Sequence, residues 1–91
     1  MMNEIPIPVI RKADYDAIVA LPTADIPKTF SDWMQRIAQE RAQFVSTGAT
    51  IVSIEIRADE FAAFCEQRGI PANFDAIKAL LLEKWQRKNN P

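Results

Sequence analysis

Sustained alternation of apolar and polar residues marks one clear strand. In "TIVSIEIR", Val52, Ile54 and Ile56 alternate with Ser53, Glu55 and Arg57, the period of a strand with one wet face. This predicts a strand over residues 50–57. Its N–H and C=O groups need partners, and there are two candidates, residues 4–10 or a second protomer. In "NEIPIPVI" the prolines Pro6 and Pro8 stand two apart. Their missing donors therefore fall on one edge, while Ile5, Ile7 and Val9 keep theirs on the other. That suits an edge strand paired on one side only.

The rest of the chain has helical periodicity. "ADYDAIVALP" predicts a short helix with Asp14 as its cap, Tyr15, Ile18 and Val19 on one face and Pro22 at its end. A Pro-punctuated loop follows. "TFSDWMQRIAQERAQFVSTG" predicts the longest helix, with Thr29 as N-cap and Asp32 favouring the positive end of the dipole. Gly48 stops it. Its apolar stripe holds Phe30, Trp33, Met34, Ile37, Ala38, Phe44 and Val45. A third helix buries Phe61, Phe64 and Cys65 and stops at Gly69-Ile70-Pro71, with Ile70 placed for a Schellman contact. Asn73 caps a fourth, which buries Phe74, Ile77, Leu81 and Trp85 and runs on to Asn90.

The expectation is a single α+β domain over residues 1–91. About four helices surround a short antiparallel β-ribbon. Its core is expected to hold Phe30, Trp33, Ile37, Phe44, Val52, Ile54, Phe61, Phe64, Ile77, Leu81 and Trp85.

Two positions disturb these patterns. Arg41 falls inside the apolar stripe of the long helix, between Ile37 and Phe44/Val45. Either its stem lies over the core with its head in water, or it meets a carboxylate across an interface. In "ALLLEKW", Leu80, Leu81 and Leu82 together cover an arc of about 200°, wider than the stripe of an ordinary surface helix. Either this helix is central, or Leu80 and Leu82 meet another chain. Arg41, Leu80 and Leu82 are therefore candidate interface residues.

Composition narrows the chemistry. Eleven Lys and Arg stand against twelve Asp and Glu, which argues against general polyanion binding. There is no histidine, which removes the commonest general base and metal ligand. With two glycines no Gly-rich phosphate loop can be written. The acids Asp14/Asp16 and Asp59/Glu60 sit at helix starts, where the dipole favours them. No enzyme, cofactor or metal site is expected. One cysteine, Cys65, and an amino terminus without the features of a signal peptide lead to the expectation of a cytoplasmic protein.

The leading functional expectation is a non-enzymatic protein acting through protein–protein contacts, as a homodimer or with another protein. A second reading concerns DNA. Over residues 50–88 the order strand, helix, turn, helix, with "SIEIRADEF" and "GIPANFDAIKALL", resembles a ribbon-helix-helix regulator. The resemblance implies two copies pairing single strands antiparallel, with Ser53, Glu55 and Arg57 facing the major groove and an antitoxin-like role. Lys84, Arg87 and Lys88, beside Trp85, would form a small basic patch for the same ligand.

Overall fold

The computed structural model describes residues 3–89, so the expected end of the last helix at Asn90 lies outside the described residues. The elements run β1 (Glu4–Val9), α1 (Lys12–Val19), α2 (Phe30–Ser46), β2 (Thr50–Glu55), α3 (Ala58–Arg68) and α4 (Phe74–Asn89). Among the described residues this is a mixed α+β fold with four helices and a two-stranded sheet.

The partner of β2 is the chain's own amino-terminal strand β1, and the pairing is parallel, with Glu4 beside Thr50 and Val9 beside Glu55. The expected antiparallel ribbon is thus corrected. The reason is the long connection. Parallel strands need a crossover, and α2 supplies the return. Its Phe30 and Trp33 share a groove with Val9 and Ile10 at the end of β1. Its Phe44 shares another with Ile5 near the start. The chain thus re-enters the sheet at the end where it began.

The prolines sit as their spacing predicts. Thr50 N–H donates to Asn3 C=O at 2.8 Å and Ile56 N–H to Val9 C=O at 2.9 Å. Odd-numbered carbonyls of β1 therefore face β2, and by alternation Pro6 and Pro8 turn their nitrogens to the far edge.

The caps are local and mostly follow the sequence. Thr29 Oγ1 accepts Asp32 N–H at 3.1 Å and Asn73 Oδ1 accepts Ala76 N–H at 2.9 Å. Such caps contribute roughly 1 kcal/mol each. Gly69 adopts φ 63°, and Ile70 N–H returns to Cys65 C=O at 3.1 Å, the Schellman closure. Asp14 differs from expectation. It lies inside α1, which begins at Lys12, and its carboxylate serves another helix.

The core is one cluster built from every element, with Tyr15, Ile18, Ile56, Phe61 and Ile77 fully buried. Tyr15 and Trp33 stack with centroids 5.3 Å apart, and Phe74 meets Trp33 edge-on at 6.0 Å. These contacts tie α1, α2 and α4 together. Phe30, Phe44, Val52 and Trp85, expected in the core, are only partly buried and pack against it. Ile7, Ile10, Tyr15 and Ile18 join it instead. The loop from Ala20 to Thr29 is pinned at three points: Tyr15 Oη donates to Pro27 C=O, Asp25 N–H to Ala72 C=O and Ala72 N–H to Thr23 Oγ1.

Candidate interaction face

The apolar stripe of α2 divides in two. Trp33 and Ile37 turn inward and are buried, with Phe30 and Phe44 partly so. Met34, Ala38, Arg41 and Val45 follow at steps of four, three and four residues. This is the spacing of a second helical face, and all four are exposed, Met34 by 49% and Val45 by 56%. An α-helix packed on one side has only one stripe to bury. The arginine in the outer row is the sequence signal that the two rows differ.

Arg41 ties this outer row to β2. Its Nη2 donates to Ser53 Oγ at 3.3 Å, and both residues are exposed. No carboxylate lies within ion-pair reach of Arg41 among the described residues. A groove of about 330 Å³ runs beside it, walled by Val9, Trp33, Met34 and Ala38, with Arg41 the only charged residue among the described ones that line it. A smaller groove of about 180 Å³ lies on the other side of Pro8, between Ile5, Phe44 and Leu82.

The outer edge of β2 is open. Ladder bonds to β1 use the N–H groups of Thr50 and Ile56, so Ile51, Ser53 and Glu55 direct their backbone groups away from β1. Among the described residues one of these groups has a partner. Lys84 Nζ donates to Glu55 C=O at 2.6 Å.

The three candidate interface residues therefore part company. Arg41 lies on the exposed face, Leu82 on the rim of the smaller groove at 47% exposure, and Leu80 is buried at 3% in the chain's own core. The candidate DNA-contact residues are held by neighbours. Glu55 pairs with Arg11 at 2.9 Å and Arg57 with Asp59 at 3.7 Å. Lys84 pairs with Glu60 at 2.6 Å and Arg87 with Glu83 at 2.5 Å. Ser53 accepts from Arg41, Trp85 packs against the core, and Lys88 stands exposed. These acids offset the cations locally, so the patch presents little net positive charge to a phosphate backbone.

Among the described residues no three His, Cys, Asp or Glu side chains converge as a metal-holding group. Burial pushes the Tyr15 phenol up to about 12, with Arg36 lowering it and Asp32 raising it by smaller amounts. Burial also pushes the Cys65 thiol up. Tyr15 is packed into the core, whereas Cys65, also buried, forms part of the wall of a groove with Leu21, Pro22 and Ile70. No described helix is long and apolar enough to cross a membrane. Compared with known proteins, the chain matches no family model, and no curated protein or solved structure is significantly similar to it.

Proposed function

We propose that this is a cytoplasmic, non-enzymatic protein that works through protein–protein contact and assembles as a homodimer through the α2/β2 face. One observation carries the reading. The exposed row Met34, Ala38, Arg41 and Val45 lies beside a strand edge whose backbone groups have almost no partners among the described residues. Exposed apolar rows mark contact surfaces, and an open edge is a template for pairing. The lack of histidine and of a glycine-rich loop supports the non-enzymatic part.

The test is molar mass by light scattering across a concentration series. The expected result is twice the chain mass, falling to the chain mass in Met34→Glu with unchanged circular dichroism. Leu82→Glu, on the other groove, keeps the doubled mass. A wild-type chain that stays monomeric throughout refutes the homodimer.

A further inference from the structure

We infer that two copies join edge to edge along β2, about a twofold axis at Ser53, with Arg41 of each copy pairing with Glu55 of the other. The inference rests on the homodimer reading above and assigns its geometry.

The sheet itself leaves β2 as the edge that can accept a strand. On β1 the outward positions include Pro6 and Pro8, which have no N–H to give. On β2 the outward positions are Ile51, Ser53 and Glu55.

A second copy of β2 meets this edge symmetrically. A twofold axis perpendicular to the sheet runs the two copies antiparallel, although the pairing inside each chain is parallel. With the axis at Ser53, Ser53 faces its own copy and Ile51 faces Glu55. The outward residues then meet in pairs of the hydrogen-bonded kind, exchanging both N–H and C=O, while Val52 faces Ile54 of the other copy as a non-hydrogen-bonded pair between them. Shifting the axis by one residue leaves one outward residue of each copy without an outward strand partner. Glu55 C=O, already held by Lys84, keeps a second lone pair for the ladder. The result is a four-stranded sheet in the order β1, β2, β2, β1.

The side chains agree with this axis. It keeps both α2 helices on the same face of the sheet, so the two rows of Met34, Ala38, Arg41 and Val45 approach each other across it. Arg41 reaches Ser53 Oγ and so stands beside the axis, where two guanidinium groups would repel. Glu55 of the other copy is the diagonal neighbour of Ser53, about 7–8 Å away and within reach of a long side chain. Glu55 is 44% exposed beside Arg11 and has a free oxygen for a second cation.

Ser53→Cys and a charge exchange test the geometry. Ser53 is exposed, so the cysteine should not disturb folding, and facing Cα atoms about 5.5 Å apart lie within disulfide range. Mild oxidation should convert Ser53→Cys into a covalent dimer, while the parent chain, whose Cys65 is buried, stays uncross-linked. Arg41→Glu should weaken association on the order of a hundredfold through like charges. Adding Glu55→Arg should restore most of it. A wild-type dimer whose Ser53→Cys form does not cross-link, and which ignores Arg41→Glu, overturns this geometry and leaves the homodimer standing. A wild-type monomer overturns both.

Discussion

The carboxylate of Asp14, in the first turn of α1, accepts the backbone N–H of Ala58, the first residue of α3, at 3.0 Å. The contact spans 44 residues of sequence. The first N–H groups of a helix have no intrahelical partner, and α3 gains one from another helix while Glu60 Oε2 takes the N–H of Arg57 at 2.9 Å. A side chain within one helix thus caps the start of another and fixes how α1 and α3 meet.

Asp14→Ala should therefore destabilise the protein by about 1–2 kcal/mol, the range for losing a helix cap. Chemical denaturation measures this directly. Asp14→Asn, which keeps the acceptor oxygen, should recover most of the loss. If both variants unfold at the wild-type midpoint, the contact contributes nothing to stability.

Tyr15 gives an alkaline signature. Its phenol donates to Pro27 C=O and is raised from 10.0 to about 12, mainly by burial. Between those values the unfolded chain gives up the proton and the folded one keeps it. The unfolded state then binds fewer protons, so stability falls as pH rises. This contribution should be fully present below pH 10 and progressively lost from pH 10 toward 12. Tyr15→Phe should flatten that part of the denaturation profile, and an equally steep profile in the variant would assign the loss to other groups.

Ile7 tests the importance of β1. It is 2% exposed within the strand that pairs with β2. Ile7→Ala should cost about 2–5 kcal/mol, the usual range for truncating a buried isoleucine. Removing residues 1–8 should cost more, because it also strips Thr50 of the carbonyl of Asn3. A truncated chain with wild-type stability would mean that the sheet does not need its amino-terminal strand.

The sequence by itself determined the features that arise within a few residues. Thr29 and Asn73 cap the helices just after them, Gly48 and Gly69 end helices with positive φ, and Pro6 and Pro8 share one edge. A cap reaches only to its third neighbour, and a strand alternates whatever lies beside it. The periodicity of α2 likewise showed an apolar helix with Arg41 within it. What it could not show is which neighbour covers each apolar residue. Periodicity places residues around an axis, whereas burial depends on what packs there. Only the tertiary structure decided that β1 and β2 run parallel, that Asp14 caps α3, that Leu80 turns inward and that Met34 and Val45 stay exposed. Each depends on where the crossover through α1 and α2 returns the chain, a relationship between residues dozens of positions apart.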